Sequence, residues 1–253
     1  MNNYITFTCD SNYFPYSIIL IESILKNSPK TKIIGRFVNC TLEQHKQLTK
    51  YKRLYKIFDN KKLSTIRNLK TKDGNFAVDD FIGNNKTKIK PIRLFYSEQI
   101  AYCSNIKFNT LYDWMKNYNG DNIIYLDVDS IVRGPLDDLF ESINNNDFAF
   151  FKDIPYTEQF ENSNRLEESD FLYHGGFIGI HNNKKNELIL ERYRDQVSKN
   201  IFDWDVDEYI LPKLINEDID ILEIDKSYKD EDLSDNSIIW SGSGRTKFDN
   251  DRY

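Results

Sequence analysis

The sequence predicts an α/β domain built on a mostly parallel central sheet, and three observations predict it. Short runs rich in β-branched and aromatic residues alternate with amphipathic helical stretches along the chain, the pattern of strand–helix units. The run Ile123 to Leu126 is apolar or aromatic at every position, as a strand covered on both faces has to be. No internal repeat and no Pro-, Gly- or Ser-rich linker divides the 253 residues. Residues 1–253 therefore read as one domain, long enough to bury roughly three quarters of its unfolded surface.

Tyr4 to Cys9 forms the first strand, ended by Asp10 and Ser11. A helix follows from Phe14 to Lys26: Pro15 suits a first turn, Pro29 lies just beyond, and Ile18, Ile21, Ile24 and Leu25 make a wide apolar face. Lys32 to Val38 is a second strand. Thr41 and Gln44 give a second helix a capping-box start, and Leu54 to Phe58 is a short strand. Residues 60–90 are polar, rich in Lys and Asn, and read as a long loop or flap. Ile92, Phe95, Tyr96, Gln99, Ile100 and Cys103 then share one helical stripe, and Leu111, Trp114, Met115 and Tyr118 the next. After the Ile123 run come a short helix (136–143), strands at 147–151 and 176–180, a helix at 187–198, and a helical period at 206–215 that Pro212 interrupts.

Composition narrows the function classes. The net charge is −6 and Lys and Arg are scattered, which excludes a nucleic-acid binder that relies on counterion release. Cys9, Cys40 and Cys103 form an odd set without metal-type spacing, as expected of reduced thiols in the cytoplasm. No stretch approaches the roughly 20 apolar residues of a transmembrane segment, and the N-terminus lacks a basic region with an apolar core. The expectation is a soluble, cytoplasmic protein.

The pattern D-x-D occurs six times, but only Asp127 and Asp129 directly follow four apolar or aromatic residues. Ligands of open α/β sheets bind beyond the carboxyl ends of strands. Two carboxylates on a tight turn there suit a hard divalent cation that also takes substrate phosphates. The plainer alternative is an Asp cap on the helix after Pro135 with a chance partner. Asp137 and Asp138 lie in that helix's first turn, where negative charge is favoured for structural reasons.

"IIYLDVDSIVRGPLDDLF" resembles the metal-binding segment of the GT-A fold glycosyltransferases, and of glycosyltransferase family 8 in particular. Five further segments match in the family's order. "FTCDSNYFPYSIILIESILKN" resembles its opening strand–loop–helix, so Asp10 would hydrogen-bond a nucleobase, Tyr13 would stack on it, and Asn12 would belong to the same pocket. "IRLFYSEQI" resembles the helix with a donor-contacting Arg, here Arg93. "YHGGFIGIHN" stands at a strand that admits the sugar, giving His174, Gly175 and Gly176. "DVDEYIL" stands where an Asp-Gln pair lies near the reacting sugar, giving Asp207 and Glu208 as catalytic candidates. "SGSGRTK" resembles the segment that grips the diphosphate, giving Gly244, Arg245 and Lys247. The chain departs from the pattern with His174 for Asn, Glu208 for Gln, and Ser241 where the third metal ligand is a His.

The resemblance implies a GT-A fold and transfer of a hexose from a nucleotide-diphosphate sugar, a UDP-sugar by the Asp10–Tyr13 loop, with retention of configuration. It also implies Mn²⁺ or Mg²⁺ on Asp127, Asp129 and Ser241, with Asp127 reaching the donor as well. The acceptor, whether glycan, lipid or protein, is not legible. Two rivals come from other classes. A catalytically inactive sugar-nucleotide-binding module is suggested by Ser241 and His174. A haloacid-dehalogenase-type phosphatase also places D-x-D after an apolar strand, although its motif stands near the N-terminus and is followed by Thr.

Overall fold

The computed structural model describes residues 2–65, 68–69, 95–118, 120–152, 173–202, 206–207 and 218–241, with backbone alone at 68–69 and 95–96. In chain order the strands are β1 (Asn3–Asp10), β2 (Lys32–Val38), β3 (Leu54–Asp59), β4 (Asn68–Leu69), β5 (Phe95–Tyr96), β6 (Asn122–Leu126), β7 (Ser130–Val132), β8 (Phe148–Lys152), β9 (Tyr173–His181), β10 (Ile221–Glu223) and β11 (Ile239–Ser241). The helices are α1 (Phe14–Asn27), α2 (Leu42–Gln47), α3 (Glu98–Asn105), α4 (Lys107–Asn117), α5 (Asp137–Asn144) and α6 (Lys184–Lys199).

Seven strands form one sheet in the order β10-β8-β9-β6-β1-β2-β3. β1 pairs in parallel with β2 and β6, β2 with β3, and β10 with β8; β9 alone runs antiparallel, to β6 and to β8. The expected mostly parallel α/β sheet is thus observed, with one reversed strand inside it.

Alternate residues of the central strands feed two cores. Ile5, Phe7 and Cys9 of β1 and Ile124 and Leu126 of β6 pack with Leu20, Ile21 and Ile24 of α1 and with Leu139, Phe140 and Ile143 of α5. Tyr4, Ile123 and Tyr125 face the other way, onto Phe108, Leu111 and Trp114 of α4 and Ile189, Leu190 and Tyr193 of α6. Burial on both faces is why β6 carries no polar residue after Asn122, and it leaves the strand ends as the place for charge.

Local rules hold at several ends. The Thr41–Gln44 capping box is formed in full, and Asp137 and Asp138 occupy the first turn of α5. The stripe beginning at Ile92 needs correction. Phe95 and Tyr96 form β5, paired antiparallel with β4, and the helix starts only at Glu98, where the Ser97 side chain accepts the Ile100 N–H. A side-chain cap of this kind fixes a helix start that apolar periodicity cannot see. Of the period at 206–215, only Val206 and Asp207 are among the described residues.

Ile124 is fully buried at the centre of the sheet. Ile124→Ala is expected to cost about 2–5 kcal/mol through lost burial and a residual cavity, read as a lowered urea midpoint with an unchanged slope.

Candidate active site

β1 and β6 end side by side, so Asp10 and the Asp127–Asp129 turn emerge at one sheet edge. The turn is closed by the Ser130 N–H, which donates to the Asp127 carbonyl at 3.0 Å. A cavity of about 150 Å³ opens there, roughly ten times what one water needs. Thr8, Asp10, Tyr13, Cys103, Tyr125, Asp127 and Asp129 are among the residues lining it. Four expected site residues, Asp10, Tyr13, Asp127 and Asp129, therefore share one wall.

Asp10 is almost fully buried. Its Oδ1 accepts the backbone N–H groups of Asn12 (2.9 Å) and Tyr13 (3.0 Å), and Oδ2 accepts Gln99 Nε2 at 2.7 Å. Gln99 Oε1 in turn accepts Asn39 Nδ2. These bonds hold the loop that presents Tyr13, so much of Asp10's work is to shape the pocket. Asn12 is exposed and is not part of the cavity wall.

β9 brings the glycine pair against the carboxylates. The Asp127 N–H donates to the Gly176 carbonyl at 3.0 Å. A Cβ on Gly176 would lie 2.3 Å from Asp127 Oδ2 and 2.8 Å from the His174 ring, and one on Gly175 would lie 2.5 Å from Asp207 Oδ2. Neither position tolerates a side chain while these groups stay in place.

Asp207 forms a buried ion pair with Lys107, Oδ2 to Nζ 2.6 Å, with both side chains under 5% exposed. The same ammonium donates to the Gly175 carbonyl at 2.7 Å and lies 5.0 Å from the Tyr125 ring centre. The Tyr193 hydroxyl donates to the Asp207 carbonyl. Asp207 is thus fixed through both its backbone and its carboxylate. Lys107 was not among the expected site residues, although it falls four residues after Cys103, at the next position of the apolar stripe.

His174 Nδ1 accepts the Gly176 N–H at 2.9 Å, so the neutral ring carries its proton on Nε2. Burial first, and the positive charge of Lys229 second, push its pKa down to about 4.

Ser241 lies opposite Ser130 in the β7–β11 pair, the two hydroxyls 3.3 Å apart. It therefore sits one residue's width from Asp129, with its side chain turned onto Ser130. Among the described residues no group of three His, Cys, Asp or Glu side chains converges as a metal site. The two motif carboxylates nevertheless offer the hard oxygen donors that Mn²⁺ or Mg²⁺ prefers when a diphosphate and water supply the rest. Arg93, Glu208, Gly244, Arg245 and Lys247 lie outside the described residues.

Two outcomes are expected from this geometry. Lys107→Met leaves the Asp207 carboxylate buried without its cation and should cost about 3–5 kcal/mol in chemical denaturation, with part recovered by adding Asp207→Asn. For His174, the unfolded chain takes up a proton below its ordinary value of 6.5 while the folded metal-free protein does so only near 4. Stability should fall as pH drops through that window. His174→Asn should remove that portion of the acid slope, with direct NMR titration of the ring as the check.

The family model for glycosyl transferase family 8 matches residues 4–198. Among solved structures, the glycosyltransferase GlyE of Streptococcus pneumoniae TIGR4 shares 16% identity at a TM-score of 0.57, over 98% of this chain and 56% of its own. The galactosyltransferase LgtC, solved with donor and acceptor sugar analogues, shares 14% identity at 0.60, over 96% and 87%. The bifunctional WbbM in its apo form shares 14% identity at 0.57, over 97% and 46%. The chain thus spans just over half the length of GlyE. No curated protein sequence matches it significantly. With the family model covering more than half of its residues over a GT-A sheet, the chain belongs to glycosyl transferase family 8.

Proposed function

We propose that the protein transfers a hexose from a UDP-sugar to a glycan, lipid or protein acceptor, with retention of configuration and with Mn²⁺ or Mg²⁺ at the D-x-D turn. One observation carries the reading: Asp127 and Asp129 open onto the same cavity as Asp10 and the Tyr13 ring. Metal-type carboxylates and a base-stacking platform in one cavity suit the two ends of a nucleoside diphosphate.

Tyr13 would stack on the base, in the loop that Asp10 holds in shape. Asp127 and Asp129 would hold the cation, which when bound neutralises charge on the departing diphosphate. By the resemblance, Arg93 would contact the donor, Gly244 and Lys247 would grip the diphosphate, and Arg245 and Lys247 would close over the phosphates and exclude water. His174, with Nε2–H as a donor, and the side-chain-free Gly175 and Gly176 would leave room for the sugar. Asp207, held in place by Lys107, and Glu208, carried over from the resemblance, would be the carboxylates near the anomeric centre. Three cysteines without a disulfide fit a cytoplasmic location. No described helix is long and apolar enough to cross a membrane.

Asp127→Asn and Asp129→Asn should each abolish Mn²⁺-dependent UDP binding while the thermal midpoint of the ligand-free protein stays within a few degrees. Calorimetric titration checks this, and undiminished binding by both variants would remove the metal-site reading. A second reading, donor binding without turnover, is favoured by the locking of Asp207 to Lys107. Slow, metal-dependent hydrolysis of UDP-sugars separates the two: the transferase shows it and the binding module does not.

A further inference from the structure

Lys229 is one of the two lysines, with Lys107, whose side chains are under 5% exposed in the ion pairs of the described residues. Its ion-pair partner there is Glu231, at 3.2 Å, and that carboxylate is 44% exposed. A half-exposed partner compensates little of the cost of keeping an ammonium from water.

The location is set by β11. The Ser241 N–H donates to the Asp230 carbonyl at 2.8 Å, the Asp230 N–H donates to Ile239, and Trp240 Nε1 donates to the Glu231 carbonyl. Ser241 is opposite Ser130, the neighbour of Asp129. The backbone of Asp230 and Glu231, next to Lys229, is therefore fastened through one strand to the segment that follows the D-x-D turn. Its charge reaches the site as well, since after burial Lys229 is the largest influence on His174. His174 and the Asp127 carboxylate crowd the same point in front of Gly176.

We propose that Lys229 is a protein-borne cation of the donor site that gives up Glu231 to take a diphosphate oxygen beside the Asp127–Asp129 turn. Lys229 itself forms no covalent bond. As the acceptor hydroxyl oxygen takes the anomeric carbon, losing its proton, and the bond to the diphosphate oxygen breaks, the electron pair of the broken bond goes to that oxygen and the ammonium stabilises the charge that develops. The inference rests on the UDP-sugar reading above, and it makes nucleotide affinity depend on Lys229 even without a metal.

The test titrates UDP and uridine into wild type, Lys229→Met, Lys229→Arg and Glu231→Gln, each in EDTA and in Mn²⁺. Lys229→Met should weaken UDP about tenfold in EDTA while leaving uridine unchanged, the fold-change of one charge-assisted hydrogen bond. Lys229→Arg should stay within a few-fold, and Glu231→Gln, which frees the ammonium, should tighten UDP by a few-fold. Lys229→Met binding UDP as tightly as wild type would overturn the proposal and leave the donor reading standing. If that variant does not fold, Glu231→Gln decides alone, and unchanged UDP affinity overturns it. Wild type binding UDP no better than uridine in either condition would overturn both.

Discussion

The arrangement depends on keeping carboxylates almost out of water at the edge of a sheet whose strands are apolar on both faces. Asp10, Asp129 and Asp207 are each under 5% exposed. A charge so placed is costly unless donors or a counter-charge meet it. Asp10 is met by two backbone N–H groups and Gln99, and Asp207 by Lys107. Each compensation also fixes geometry: the first shapes the loop under Tyr13, and the second ties α4 to the residues facing Gly175.

The reversed strand β9 follows from the same requirement. Running antiparallel to β6, it brings its beginning to the carboxyl end of β6, where a parallel neighbour would place its own end. The residues delivered there are His174, Gly175 and Gly176. A glycine pair inside a strand weakens its packing, and here it leaves the volume that Asp127, Asp207 and the His174 ring occupy.

What was legible in the sequence was what local pattern encodes. β1, α1, β2, β3 and β6 follow from runs and periods of apolar residues, and the D-x-D pair stood out because of the strand before it. β7, β10 and β11 have three residues each, too short for any period, and they exist because partners from distant segments supply their hydrogen bonds. The early helix start at Ile92 fails for the opposite reason: the apolar stripe is real, but the Ser97 cap decides where the backbone turns helical. Lys107 and Lys229 were missed because lysine in a polar-rich chain is ordinarily solvated, and only tertiary contacts reveal that their ammonium groups are buried.

The two ends of the candidate site are built differently as a result. The end proposed for the nucleoside is simpler, since Asp10 holds the backbone of Asn12 and Tyr13 and one distant helix supplies Gln99 and Cys103. The end proposed for the sugar and diphosphate draws on segments near 107, 127, 174, 207, 229 and 241, joined by an ion pair, a three-residue strand pair and two glycines. Contacts of such sequence separation form only when the sheet is complete, because their loop-closure entropy has to be overcome together. Local opening of β7 and β11, each short and with one partner strand, would loosen Ser241 and Lys229 while leaving the Asp10 loop in place. A ligand that spans both ends couples them, and its binding energy stabilises the β7–β11 pair in addition to the pocket.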